Sequence, residues 1–92
     1  MDEWKDLEIF LSKKSLYPVL RAIEEQPASL TAISKITGIR FEHVSKYVKE
    51  LIGLGYIDNL TPGITKGKIF GVSEAGSNIL NEIKRRKLFE SE

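Results

Sequence analysis

The sequence contains no cysteine and only one histidine, His43. The first absence excludes disulfides and thiolate metal centres; the second leaves no histidine-rich site. No metal and no cofactor is therefore expected. A chain without cysteine also fits a reducing compartment. Long apolar runs are missing too, and none approaches the ~20 residues that a membrane-crossing helix needs. The opening residues Met-Asp-Glu-Trp-Lys-Asp are too acidic for a secretory signal. Together these features predict a cytoplasmic protein without a membrane partner. There is no cysteine nucleophile, no glycine-rich phosphate loop and no histidine–carboxylate spacing suited to catalysis, so no enzyme is expected.

What is present is one domain's worth of chain. Its 92 residues, 41% hydrophobic and 29% charged, are ordinary for a folded protein. The formal net charge is +1, but it is unevenly spread. Residues 1–28 hold six acids and four bases, and residues 71–92 hold four of each. Residues 35–70 hold six bases (Lys35, Arg40, Lys46, Lys49, Lys66, Lys68) against three acids (Glu42, Glu50, Asp58). The positive excess thus sits in the middle of the chain, where a polyanion would be held.

The same middle region carries the most informative pattern. Thr31 to Thr37 reads as a short helix with Ile33 inward and small Ser34 where a second helix can cross closely. Gly38 ends it, because a helix stops most easily on a residue that accepts a left-handed backbone. Ile39 plugs the corner. From Phe41 the apolar residues recur at Val44, Tyr47, Val48 and Leu51, which is one face of a helix. Two helices joined by a tight turn form a helix-turn-helix, whose second helix is shaped for a DNA major groove.

On either side, periodicity predicts helices over 3–11, 16–25, 31–37, 41–52 and 74–88, with strands over 56–61 and 68–72. Ser15 is the expected cap of the second helix, with Pro18 in its first turn and Leu16, Val19, Leu20 and Ile23 as its buried face. Gln26-Pro27 closes it. Ala28 to Leu30 can form a very short strand, and Thr31 can cap the third helix. Gly53 and Gly55 break the helical period after the recognition helix. Thr61 to Gly67 is a turn-rich loop between two strands, so the pair makes a hairpin with a basic tip. Ser73 caps the last helix, with Glu74 in its first turn and a stripe of Ala75, Ile79, Leu80 and Ile83. The basic run Lys84 to Lys87 reads as a solvated helix end.

This order of parts resembles the winged helix-turn-helix family: mainly α with a small β-hairpin, a single domain over 1–92 with its core in 16–83. Ser45-Lys46-Tyr47-Val48-Lys49-Glu50-Leu51 followed by Gly55-Tyr56-Ile57 resembles small prokaryotic regulators of the multiple-antibiotic-resistance and arsenic-resistance repressor types. So does Val72-Ser73-Glu74-Ala75-Gly76, where such regulators commonly have Leu-Thr-Glu-Lys-Gly. The resemblance implies a homodimeric transcriptional regulator on double-stranded DNA, with the recognition helix in the major groove and the wing on the backbone or minor groove.

With Val44, Val48 and Leu51 inward, Glu42, Ser45, Lys46 and Lys49 project outward as the groove-facing set. Ser45 and Lys46 suit base edges or phosphates, Glu42 suits cytosine N4, and Lys49 suits the backbone. Lys66 and Lys68 would hold phosphates from the wing. Phe41 either touches a thymine methyl or packs into the corner with Ile39. His43 reads as a surface residue or phosphate contact.

Two positions depart from the family pattern. Arg40 replaces the usual capping Ser or Thr and can grip a phosphate instead. Ile36 stands where a polar residue is common, so it is expected against the N-terminal segment or a partner subunit. Dimerisation is assigned to the two end helices, through Trp4, Leu7, Phe10, Leu11, Leu80, Ile83, Leu88 and Phe89. The sequence offers no convincing effector pocket. The rival reading is a winged helix used for protein contact rather than DNA.

Overall fold

The fold was taken from a computed structural model, which describes residues 3–86, the side chains of residues 3, 4 and 6 excepted. Five helices and one hairpin follow one another: α1 (Glu3–Ser12), α2 (Leu16–Ala22), α3 (Leu30–Thr37), α4 (Phe41–Gly53), β1 (Ile57–Asn59), β2 (Phe70–Val72) and α5 (Glu74–Arg86). α2, α3 and α4 pack on one another, and α1 and α5 close the opposite side.

The core is the sum of the inward stripes. Leu16, Val19, Leu20 and Ile23 from α2 meet Ile33 from α3 and Val44, Val48 and Leu51 from α4. Leu7 and Phe10 of α1 and Ile79, Leu80 and Ile83 of α5 complete it. Phe10 lies with its ring centroid 5.6 Å from that of Tyr56, tying α1 to the start of the hairpin. Each such side chain contributes about 1.5–3 kcal/mol through removal from water.

Burial corrects the sequence reading of the end helices. Leu7, Phe10 and Leu80 are fully buried and Ile83 nearly so within the chain's own core, so these four are not a free dimer surface. Leu11 alone of the described set is exposed. Trp4, as a side chain, and Leu88 and Phe89 lie outside the described residues. Ala75 is exposed as well, and Gly76 takes the buried place in its stripe. A Cβ on Gly76 would stand 2.2 Å from the Tyr56 carbonyl oxygen, so α5 crosses the hairpin at backbone contact.

Helix ends also differ from expectation in physically readable ways. Ser15 has helical backbone angles and makes no side-chain cap: of the two N–H groups a cap could take, Tyr17 donates to the Lys14 carbonyl and Pro18 has none. α2 ends at Ala22 rather than at residue 25, continuing as tighter turns in which Ile23 and Glu24 donate three residues back. Ser29, not Thr31, caps α3: its Oγ accepts from the Ala32 N–H at 3.2 Å. The Ala28–Leu30 expectation reduces to one bridge, in which Ala28 and Phe70 exchange both backbone hydrogen bonds. Gly53 stays helical, and Gly55 at φ +87° ends α4. There Tyr56 donates to Leu51 and Gly55 to Ile52, the paired bonds that satisfy a helix's last carbonyls. The hairpin itself is shorter than predicted, pairing Ile57 with Val72, Asp58 with Gly71 and Asn59 with Phe70.

Charged side chains fasten the ends. Lys13 of the α1–α2 turn pairs with Glu50 of α4, and Lys84 of α5 with Glu24 after α2 at 2.6 Å. Desolvation alone would raise the Glu24 carboxyl; the hydrogen bonds from Lys84 and Arg21 override it and hold the group below its ordinary range. No described helix is long and apolar enough to cross a membrane.

Candidate nucleic-acid interface

The corner between α3 and α4 is fixed by short polar bonds around Gly38. Gly38 takes φ +76° and donates to the Ser34 carbonyl, which stops α3. The Ser34 hydroxyl donates to the Ile39 carbonyl at 2.6 Å. The Thr37 hydroxyl donates back to Ile33 at 2.8 Å and accepts from the Ile39 N–H at 3.2 Å. Three hydroxyl bonds therefore bracket the turn and set the angle at which α4 leaves. Ser34, read from sequence as a small residue permitting close crossing, is an active hydrogen-bonding partner. Ile39 is half-buried at the corner, as expected.

Along α4 the burial pattern separates the faces. Val44, Val48 and Leu51 are buried and Tyr47 half-buried, while Glu42, Lys46 and Lys49 are exposed. Ser45 is half-buried on the flank rather than fully outward. His43 is exposed, its ring 6.4 Å from that of Tyr47. Arg40 occupies the cap position with extended backbone (φ −61°, ψ 144°) and makes no cap bond. Its guanidinium instead lies 3.3 Å from the Glu42 carboxylate, both side chains largely exposed. An exposed pair of this kind contributes little to stability, but it masks part of the Glu42 charge on an otherwise basic face.

Phe41 does not pack into the corner: it is 48% exposed. It lines a cleft of about 250 Å³ together with Ser29, Leu30 and Thr31 from the start of α3 and Thr65, Lys66, Gly67 and Lys68 from the wing loop. The sequence treated these as three separate features. The fold brings them to one place, with the wing lysines beside the first turn of the recognition helix. Ile36, at 63% exposure, lines an open groove with Tyr17, Pro18 and Ala22 of α2 and no residue of α1.

The wing loop holds its shape through side chains that the sequence reading passed over. Asn59 Oδ1 accepts from the Thr61 N–H at 2.9 Å and from the Thr61 hydroxyl at 3.2 Å. The same Thr61 oxygen accepts from the Ile69 N–H at 3.0 Å, and the Leu60 N–H donates to the Ile69 carbonyl. An Asn followed two residues later by Thr, ahead of Pro62-Gly63, is the turn chemistry that could have signalled this. At the other end of the hairpin Ser73 accepts from the Gly76 N–H at 3.1 Å, the predicted cap of α5.

A helix-turn-helix corner, an outward basic helix face and a two-stranded wing beside it define a winged-helix protein. The chain belongs to the winged helix-turn-helix family, whose model matches residues 14–91. Among solved structures it is similar to TubR bound to 24 bp of tubC, from Bacillus thuringiensis serovar israelensis pBtoxis. The likeness has a TM-score of 0.79 at 24% identity and covers 94% of this chain and 96% of that one. No curated protein matches the chain.

Proposed function

We propose that this protein binds double-stranded DNA in a sequence-specific manner and acts as a transcriptional regulator. The observation that carries the reading is the shared cleft of Phe41, Lys66 and Lys68, which sets the basic wing against the start of α4. A duplex whose major groove received α4 would meet Lys46 and Lys49 along the helix and have its phosphates near the wing lysines. Family membership and the likeness to a protein bound to 24 bp of tubC support it. Lys46 reads bases or holds a phosphate, Lys49, Arg40, Lys66 and Lys68 hold phosphates, and Ser45 and Glu42 act at the groove edge. Phe41, exposed at the start of α4, can touch a thymine methyl. The narrower assignment, to regulators of the multiple-antibiotic-resistance or arsenic-resistance repressor types, belongs to the same proposal.

Selection from random duplexes tests it: the expected result is an enriched motif. Lys46→Ala should then weaken binding and relax preference at one position of that motif. Recovery of no motif from the selection would count against sequence-specific binding.

The proposed working form is a homodimer. Leu7, Phe10, Leu80 and Ile83 are committed to the core, and the exposed apolar side chains include Leu11 of α1, Ile52, and Leu54, the last at a groove of about 530 Å³ between α1 and the end of α4. Sedimentation at high micromolar concentration should give a dimer; a monomer would rule this out. One observation favours the rival, a protein-contact surface: Ile36 and Phe41 are both exposed on the helix-turn-helix. Absence of salt-sensitive duplex binding at low ionic strength would bring that reading forward.

A further inference from the structure

We infer that Asn59 and Thr61 are positioning residues for the wing: they form a hydrogen-bonded neck that holds Lys66 and Lys68 against the start of α4. The inference rests on the DNA-binding reading above and adds to it a device that no basic residue supplies.

The need for such a device follows from burial. Residues 62–68 are all exposed, so packing does not fix the loop that carries both lysines. The strand ladder stops short of it, at Asn59 and Phe70. Between the ladder and the loop stands a relay: the Ile69 N–H donates to Thr61 Oγ1 at 3.0 Å, and the Thr61 hydroxyl donates to Asn59 Oδ1 at 3.2 Å. Asn59 Oδ1 also takes the Thr61 N–H at 2.9 Å, and Leu60 N–H reaches the Ile69 carbonyl at 2.8 Å. Bonds in series polarise one another, so such a relay is stiffer than its members taken singly. Ile69 directly follows Lys68, and the Ile64 N–H donates to the Thr61 carbonyl at 3.1 Å, so the turn entering the loop starts from the same residue.

The return strand is anchored as well. Phe70 pairs with Asn59 on one side and with Ala28 on the other, one residue before the α3 cap Ser29. The Leu60 side chain lies over Gly71 next to Pro27. The neck therefore stands on the body of the protein, and its orientation is transmitted to the loop. Without the neck the lysines keep their charge but lose their place, and the ordering cost is then met at each binding event.

The test uses the whole chain and four variants: Thr61→Val, Asn59→Ala, Thr61→Ser and the pair Lys66→Ala/Lys68→Ala. Duplex affinity and its salt slope are measured by anisotropy. Thr61→Val should weaken binding about threefold to tenfold, the change that one or two net hydrogen bonds carry. Its salt slope should move toward that of the double-lysine variant. Thr61→Ser, which keeps the oxygen, should stay within about twofold of the parent.

In the Thr61→Val background, removing both lysines should cost less than it costs the parent, because the residues act through one another. A purely structural role would lower the melting temperature without that coupling. In the free protein the Ile69 amide should exchange faster in Thr61→Val than in the parent. If Thr61→Val does not fold, Asn59→Ala carries the same comparison. Parent-like affinity and slope in the folded variant would overturn the proposal while leaving DNA binding intact. A parent that shows no salt-sensitive binding would instead remove the function on which it rests.

Discussion

Two corners of this protein use the same parts to different ends. At the α3–α4 corner Gly38 takes φ +76°, and at the α4–β1 corner Gly55 takes φ +87°; neither would bring an added Cβ within 4 Å of another atom. Each corner is also tied by a serine hydroxyl to a neighbouring carbonyl, Ser34 to Ile39 and Ser73 to Gly55. The difference lies in what stands behind them. The first corner is held by hydroxyl bonds in partly open space, whereas the second is pressed against α5, where Gly76 touches the Tyr56 backbone. The first sets an angle for a helix that faces outward; the second joins the hairpin to the core. The outward-facing corner rests on directional bonds alone among these features, and the inward one adds close packing to them.

The comparison is broken most severely at Gly76. Gly76→Ala should destabilise the protein by about 3 kcal/mol or more, since the obstacle at 2.2 Å is backbone and cannot swing away. Chemical denaturation measures this, and a loss below about 1 kcal/mol would show that α5 can slide off the hairpin. The two turn glycines should respond alike: Gly38→Ala and Gly55→Ala each face only the left-handed backbone penalty, about 1–2 kcal/mol. Unequal losses would mean that one corner carries a steric load absent from the fold described above.

Ser34→Ala should cost about 1 kcal/mol in stability. Because it loosens the angle of α4, it should also weaken duplex binding more than Ser73→Ala does, with melting and anisotropy read side by side. The smallest effect is expected for the exposed pair of Lys13 with Glu50. Lys13→Ala should change stability by no more than about 0.5 kcal/mol, and a larger loss would show that this pair carries weight an exposed ion pair ordinarily does not.

The place of the first corner was legible in the sequence because Gly38 marks it locally, whereas the Ser34 and Thr37 hydroxyl bonds that fix it were not. A glycine between two apolar periodicities has one reading, and the inward faces of α2 and α4 follow from spacing alone. The second was only half legible. Gly55 announces a break, but the demand on Gly76 comes from Tyr56, twenty positions earlier, and no local pattern records it; Ala75 looked the better stripe residue. The same limit explains the dimer assignment. Leu7, Phe10, Leu80 and Ile83 were assigned to dimerisation, yet they are buried in the chain's own core. The site divided in the same way. The outward direction of Lys46 and Lys49 came from helical periodicity, whereas the meeting of Phe41 with the wing depends on how the hairpin folds back over α3. Helix caps were the least predictable, because Ser29 and Thr31 are both competent and the entering chain direction decides between them.

The central claim is that α4 and the wing form one basic face for a DNA duplex. The most direct test is duplex affinity as a function of salt for the parent, for Lys46→Ala and for Lys66→Ala/Lys68→Ala. The predicted result is a linear fall of log affinity with log salt, with a slope made shallower by about 0.9 for each phosphate-contacting lysine removed. A flat salt dependence in the parent, or a slope unchanged when the wing lysines are removed, would contradict it.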